Sequence, residues 1–424
     1  MAGLTLSHKI LARAAGRTRV ATGDHLICRV DRAMTYEPFA GELDRRFAAR
    51  WGAETRVWDP DRLVLVVDHF LDAADPASAD LRAAADRFAR RMGLVHYYPP
   101  GAANHGVCHA LMAEEGLVRP GELIVGSDSH SCTYGGFGAI GLGVGLEAIE
   151  GVLAVGECWL RVPPTVRIEI AGAFAPDVQA KDVILAIVRD LGFRRGLLGT
   201  GVELDGEAVQ ALHPEEKLTL ANMAAEAGAR WLVVPPNDEV AAWVAALADA
   251  PFEPLRPDRD AAYDAVYRYR GEDFVPVVAR PHAPDAVVAV SDLPRTAFSE
   301  VYVGSCTGAK RFDLDCLADR LAALGGPAPG MRLLVVPATR KARDGLLSDP
   351  ERAALFRRPG VELAAEPGCN ACFGGHGFLA EAGAVRLSTT NRNFRGRMGS
   401  PEAEVYLASP ARAAEAAARG ALGR

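Results

Sequence analysis

The sequence predicts an α/β protein, and two observations carry that reading. The first is a repeated local pattern in which a short run of branched apolar residues gives way at once to polar or glycine residues able to do chemistry. R-L-V-L-V-V-D-H leads from Leu63 into Asp68 and His69, and E-L-I-V-G-S-D-S-H leads from Leu123 into Asp128, Ser129 and His130. E-V-Y-V-G-S-C ends in Cys306, and V-R-L-S-T-T-N-R-N-F runs from Val385 into Asn391 and Arg392. Continuous apolar runs of this kind suit strands buried on both faces, and ligands of open α/β sheets bind beyond the carboxyl ends of such strands. The second observation is that helical patterns lie between the runs, which is the alternation of a parallel sheet with crossover helices.

Taken in order, T-L-S-H-K-I-L-A-R-A-A-G places Leu6, Ile10, Leu11 and Ala14 on one helical face and stops at Gly16. Its basic residues precede the first acid, Asp24. That bias is shared with transit peptides, but an amphipathic helix is the better reading. A second helix starts at Asp75 as cap with Pro76 in its first turn, and carries Leu81, Ala85, Phe88 and Met92 on one face. R-V-P-P-T-V at 161–166 and V-A-R-P-H-A-P-D at 278–285 read as boundaries, so the expected domains are 1–163, 164–282 and 283–424. The Ala- and Arg-rich tail from Pro410 reads as a last surface helix.

Composition narrows the function. With 424 residues, 49% of them hydrophobic, the chain has a globular composition and length enough for two or three domains. A net charge of -7 argues against nucleic acid or an anionic membrane surface as a partner. No apolar run is long enough to cross a bilayer, and no hydrophobic signal core opens the chain. The 8 scattered cysteines do not form a disulfide framework, so a reducing cytoplasm is expected, with thiols free to bind metal.

G-G-F-G-A-I-G-L-G-V-G, from Gly135 to Gly145, contains G-x-G-x-x-G, but S-D-S-H-S-C-T-Y separates it from its strand. A dinucleotide fingerprint needs its first glycine directly after the strand, so close packing behind Asp128 and His130 is the expected use of these glycines. E-P-G-C-N-A-C-F-G-G-H-G-F sets Cys369 and Cys372 three positions apart on a glycine-rich turn. On spacing alone they fit half a structural zinc site, a redox pair, or part of an iron-sulfur site with Cys306 as a further thiolate. His376 is expected only to close the turn. Cys28, Cys108, Cys132, Cys158 and Cys316 are expected as small buried hydrophobes.

The acid, base and anion groups gather at the strand ends: Asp68 with His69, His109 in G-V-C-H, Asp128 with Ser129 and His130, Glu226 in A-N-M-A-A-E-A-G-A, and Asn391, Arg392 and Arg397. A lone buried histidine is usually a satisfied core group. Two Asp and His neighbours at strand ends are different, because a carboxylate beside an imidazole raises its basicity and fixes its tautomer. Arg392 and Arg397 suit a substrate bearing carboxylates.

Together T-L-S-H-K-I-L-A-R-A-A-G, V-D-H, G-V-C-H, G-S-D-S-H-S-C-T-Y-G-G-F-G-A, L-A-N-M-A-A-E-A-G-A, V-G-S-C-T, P-G-C-N-A-C and S-T-T-N-R-N-F-R-G-R-M-G-S-P resemble the aconitase superfamily. The resemblance is nearest to large subunits of the 3-isopropylmalate dehydratase and homoaconitase type, and covers almost the whole chain. It implies an aconitase-like three-domain α/β/α architecture around a central cluster cleft, lacking the swivelling fourth domain. It also implies a hydro-lyase with a [4Fe-4S] cluster on Cys306, Cys369 and Cys372, one iron being left without a protein ligand. By the same resemblance His69, backed by Asp68, protonates a departing hydroxyl, while His109, Asp128, His130 and Glu226 order the metal-bound water. Ser129 and Asn222 are supporting substrate contacts, and Asn391, Arg392 and Arg397 are cluster-side and carboxylate-binding positions. The family's base comes from the missing domain, so a separate small subunit is the expected partner of this chain, with a hydroxy-carboxylate as substrate. Three positions depart from the family pattern: Gly308 and Lys310 stand where many relatives carry asparagine and arginine, and Tyr36 stands where they usually carry histidine before an acid. A related alkylmalate or homoaconitate is therefore an alternative substrate. A non-catalytic iron-sulfur or RNA-binding sensor is the alternative of another class.

Overall fold

The apolar runs pair as parallel strands, and the order in which they pair decides where chemistry can sit. The computed structural model describes residues 3–424 except Ala73, Arg194, Asp249, Ala250 and His376, so the reading of His376 as a turn-closer lies outside the described residues. The chain forms two compact units. The first comprises Met1–Pro99, Met112–Ala173 and Phe193–Arg270; the second comprises Pro100–Leu111, Phe174–Gly192 and Gly271–Arg424.

In the first unit a parallel five-stranded sheet has the order His96–Tyr98, Leu63–Val66, Arg32–Tyr36, Leu123–Gly126, Ile140–Gly143. From Arg32–Tyr36 the chain winds outward first through Leu63–Val66 and then, in the opposite direction, from Leu123–Gly126. The direction of winding reverses between two neighbouring strands, which leaves a crevice beyond their carboxyl ends. Leu63–Val66 and Leu123–Gly126 are buried along their length, as the apolar runs require. The helix Leu6–Ala14 is capped by Thr5, whose hydroxyl accepts from the His8 amide, and it buries Leu6, Ile10, Leu11 and Ala14. Asp75 caps Pro76–Met92 through the Ser78 amide, and Ala85, Phe88 and Met92 are buried, with Leu81 half-buried. A second, four-stranded parallel sheet is ordered Trp231–Val233, Gly201–Asp205, Thr165–Ala171, Ala265–Arg270.

The glycine-rich stretch is a packing device. Residues Ser129–Phe137 form a 3-10 helix, which lies against the helix Pro214–Asn222 and the strand Trp231–Val233. A Cβ on Gly135 would overlap the Leu232 carbonyl, one on Gly136 the backbone of Lys217, and one on Gly141 the Ser131 carbonyl. Backbone has therefore replaced side chain at three contacts. Gly135→Ala is expected to cost on the order of 1–3 kcal/mol through overpacking, read as a lowered urea midpoint for this unit.

The second unit is built on a seven-stranded sheet in the order Val287–Ala289, Val277–Ala279, Glu404–Leu407, Val385–Ser388, Glu300–Val303, Arg332–Val335, Val361–Leu363. The five strands from Glu404–Leu407 to Val361–Leu363 are parallel, and the two at the other edge are antiparallel. Winding reverses again, between Glu300–Val303 and Val385–Ser388, so the loops that follow these two strands share a crevice. The helix Ala180–Leu191 packs on Val277–Ala279 and is tied there by the Asp182 carboxylate, which accepts from the Val277 amide at 3.0 Å.

The tail departs from expectation. Pro410–Arg419 is not a surface helix, since Pro410 to Ala417 are all buried, with Ala413, Ala414, Ala416 and Ala417 in the core of the second unit. Alanine has no bulk, so this helix can lie close against Arg311–Ala323. Glu415 pairs with Arg412 on the same helix and with Arg320 on Arg311–Ala323.

Candidate functional site

Each unit brings a set of chemical groups to its reversal point. In the first, Glu37 follows the strand Arg32–Tyr36 and is fully buried. Its carboxylate accepts from three successive backbone amides, Asp68 at 3.2 Å, His69 at 2.7 Å and Phe70 at 2.6 Å. That fixes the turn after Leu63–Val66 and aims the two side chains it carries. Asp68 Oδ1 meets His69 Nδ1 at 2.6 Å, both residues being buried. The imidazole thus turns Nδ1 to its carboxylate and leaves Nε2 as its other working atom.

The electrostatics of this trio follow from burial and charge. Burial opposes a charged imidazole at His69, but the Asp68 carboxylate, helped by Glu37 and Asp128, outweighs it and holds the group up at about 9. Burial and the Asp68 charge lift Glu37 to about 7, against the pull of His69 and the donated amides. The balance favours the protonated form of the His69 ring at neutral pH. Tyr36 lies against it, ring centroids 4.5 Å apart.

Asp128, which caps the 3-10 helix, accepts from the His130 amide at 2.7 Å and stands 3.5 Å from His130 Nδ1. His130 Nε2 meets Glu226 Oε1 at 2.9 Å. Both ring nitrogens of His130 thus face carboxylates, which locks the ring orientation. Ser129 is exposed beside them. Asn222 is fully buried and its amide donates to Thr133 Oγ1 at 2.7 Å, so it braces the same turn.

In the second unit three buried thiols come from two loops. Cys306 follows the strand Glu300–Val303, while Cys369 sits at the start of the short helix Asn370–Phe373 and Cys372 lies within it. Cys306 and Cys369 pack with Val107 and Phe373. The Asn391 side chain reaches two of the sulfurs, with its oxygen 3.5 Å from Cys372 Sγ and its nitrogen 3.9 Å from Cys306 Sγ. Among the described residues, three that are not glycine have positive φ, and two of them adjoin these cysteines: Ser305 at 76° and Asn370 at 41°. Strained backbone of this kind persists where the surroundings impose it, and it concentrates at functional sites. Arg397 stacks over the Phe373 ring at 5.6 Å and has an orphaned buried Nε, and Arg392 is half-buried nearby in sequence. His109 lies buried on the helix Cys108–Glu114, also within this unit.

This donor set fits an iron-sulfur cluster better than a redox pair. Burial pushes the Cys372 thiol up, against the attraction of Arg397, Lys181 and Arg392. A redox-active thiol needs the opposite, a lowered value and access. Thiolates that form only when metal replaces their protons are compatible with such burial.

Two of the departures from the family pattern now have a structural reading. Lys310 is buried, with Nζ 2.6 Å from Asp313 and 3.3 Å from the Cys306 carbonyl, so it anchors the thiolate loop to the start of the helix Arg311–Ala323. A Cβ at Gly308 would overlap Thr389. The space an asparagine side chain would leave by is taken up in this chain.

Comparison with known proteins identifies the family. The model of the aconitase family (aconitate hydratase) matches residues 49–301 and 291–420. A 3-isopropylmalate dehydratase large subunit of Methanopyrus kandleri is 38% identical over 99% of this chain and 98% of its own length. A probable methanogen homoaconitase large subunit of Methanothermobacter thermautotrophicus is 37% identical over 100% of this chain and 97% of its own. The crystal structure of aconitase X from Thermococcus kodakaraensis, in its holo-form, shares the fold at a TM-score of 0.53 and 12% identity, covering 92% of this chain and 90% of that one. The chain belongs to the aconitase family. Its enzymatic class is hydro-lyase, and an iron-sulfur cluster is what membership of the family implies.

Two contributors escaped the sequence reading. Glu37 sits at a strand end like the others and could have been found by that pattern. Lys181 opens a helix and carries no sequence signal that separates it from a solvated lysine.

Proposed function

We propose that this chain is the large subunit of a hydro-lyase that shifts the hydroxyl of a 2-hydroxy di- or tricarboxylate to the adjacent carbon through an alkene. The observation that carries the reading is His69, whose Nδ1 meets the buried Asp68 carboxylate at 2.6 Å and whose charged form that carboxylate favours. Cys306, Cys369 and Cys372 would hold a [4Fe-4S] cluster with one iron free of protein, and when bound it supplies a Lewis acid that weakens the carbon-oxygen bond. His69 delivers the proton that lets the hydroxyl depart as water, and takes it back in rehydration. Asp128, His130 and Glu226 form a fixed carboxylate and imidazole array that orients water, with His109 in the same role, and Ser129 and Asn222 support substrate. Arg392 and Arg397 pair with substrate carboxylates, and Asn391 steadies the thiolates. A 3-isopropylmalate-like substrate is favoured by the relatives. Tyr36 against His69 makes an alkylmalate or homoaconitate the second reading.

The carbon-bound proton needs a base, which the reading assigns to a separate small subunit. We place the enzyme in the cytoplasm and divide it into domains 1–163, 164–282 and 283–424. Among the described residues no helix is long and apolar enough to cross a membrane. The test is anaerobic reconstitution with iron and sulfide, followed by turnover assays with and without an added small subunit of the 3-isopropylmalate dehydratase type. Alkene formation is expected only from the mixture. Turnover by the chain alone would overturn the two-subunit reading.

A further inference from the structure

Lys181 lies in the first turn of the helix Ala180–Leu191 and is 1% exposed. An ammonium withdrawn from water is costly unless it is paired and hydrogen-bonded. Here its hydrogen bonds go to the two loops at the reversal point of the seven-stranded sheet. Nζ donates to Thr307 Oγ1 at 3.1 Å, to the Thr389 carbonyl at 3.2 Å and to the Thr390 carbonyl at 2.7 Å. These contacts match the three donors an ammonium has. One loop carries Cys306, and the other leads directly into Asn391.

The network continues from those contacts to the strained residue. The Thr307 hydroxyl donates to the Thr389 carbonyl at 3.0 Å and meets the Ser305 hydroxyl at 2.9 Å. The Ser305 hydroxyl also accepts from the Thr307 amide at 3.1 Å, and Thr389 Oγ1 accepts from the Gly304 amide at 3.0 Å. Ser305, with its φ of 76°, is thus held by a chain of bonds that ends on Lys181.

We propose that Lys181 is a positioning residue for the cluster ligands: it clamps the 304–308 loop to the 388–391 loop and supplies a buried positive charge toward the thiolates. The clamp fixes the direction in which Cys306 leaves its strand. The charge compensates thiolates that burial alone disfavours, and it makes reduction of a bound cluster easier. The charge half of the proposal rests on the cluster reading above; the clamp half does not.

The experiment separates the two. Lys181→Met and Thr307→Val are compared with the wild-type chain, first without metal by hydrogen exchange of peptides spanning 300–312 and 386–394, then after anaerobic reconstitution. Lys181→Met is expected to speed exchange in both peptides by about tenfold, the equivalent of a lost hydrogen bond or two. In the reconstituted protein it should release iron faster to a chelator and shift the reduction potential negative. Thr307→Val, which keeps the ammonium, should speed exchange and leave the potential in place. Wild-type exchange in both variants overturns the clamp, and an unchanged potential in Lys181→Met overturns the charge. If Lys181→Met does not fold, Thr307→Val decides the clamp, and Lys181→Arg decides the charge by keeping the wild-type potential or losing it. A wild-type chain that takes up no iron and sulfide rejects the cluster reading itself, while the exchange comparison still judges the clamp.

Discussion

Cys369→Ser is expected to yield a folded chain that neither retains a full cluster nor turns over substrate. Cys369 contributes one of three buried thiols, and its immediate packing partners are Val107, Cys306 and Phe373. A serine hydroxyl nearly matches the thiol in shape, so the unit keeps its fold. It does not readily become an anion at neutral pH, however, and oxygen is a poorer partner for iron than sulfur. The expected loss is at least about three decades in turnover, the kinetic equivalent of several kcal/mol of Lewis-acid stabilisation. Iron and sulfide content, the brown visible absorbance and the reconstituted activity should fall together. Cys316→Ser is the matched control: Cys316 is only partly buried on the helix Arg311–Ala323, where it accepts from Gln179, and its loss should leave all three readings unchanged. Wild-type activity in Cys369→Ser would remove Cys369 from the ligand set.

Much of this site was legible because strand-end chemistry leaves a local mark. Asp68, His69, Asp128, His130, Cys306 and Asn391 each follow an apolar run within a few residues, and those runs are the buried parallel strands. What the sequence does not show is pairing order. The reversal between Arg32–Tyr36 and Leu123–Gly126, or between Glu300–Val303 and Val385–Ser388, depends on contacts between runs far apart in the chain. The same blindness explains Lys181, whose partners lie more than a hundred residues away in sequence. It also explains the tail, where alanine and arginine suggest a solvated helix but small side chains serve a buried one. The glycine stretch is the intermediate case. Its distance from the strand argued for packing, yet which backbone each glycine admits became readable only from the fold.

Replacing Asp68 by asparagine should cost the enzyme its proton donor without removing the imidazole. In the native chain burial pulls His69 down, while Asp68, at 2.6 Å, together with Glu37 and Asp128, raises it to about 9. Asparagine keeps the shape and removes the charge, so burial prevails over what Glu37 and Asp128 supply, and His69 falls toward or below the ordinary 6.5. Dehydration then needs an imidazolium that is scarce at neutral pH. General acid catalysis is worth roughly 10²–10⁴ in rate, and a loss in kcat within that span is expected near pH 8. Part of it should return as the pH is lowered, because the basic limb of the rate profile moves down with the group. The stability of the fold carries the same signature. A histidine whose folded value lies above its unfolded value contributes stability that is complete below about 6.5 and is lost as pH rises through about 9. Wild type should therefore lose more stability than Asp68→Asn across that window, in parallel urea titrations at pH 6 and pH 9. An unmoved basic limb in the variant would show that another group donates the proton.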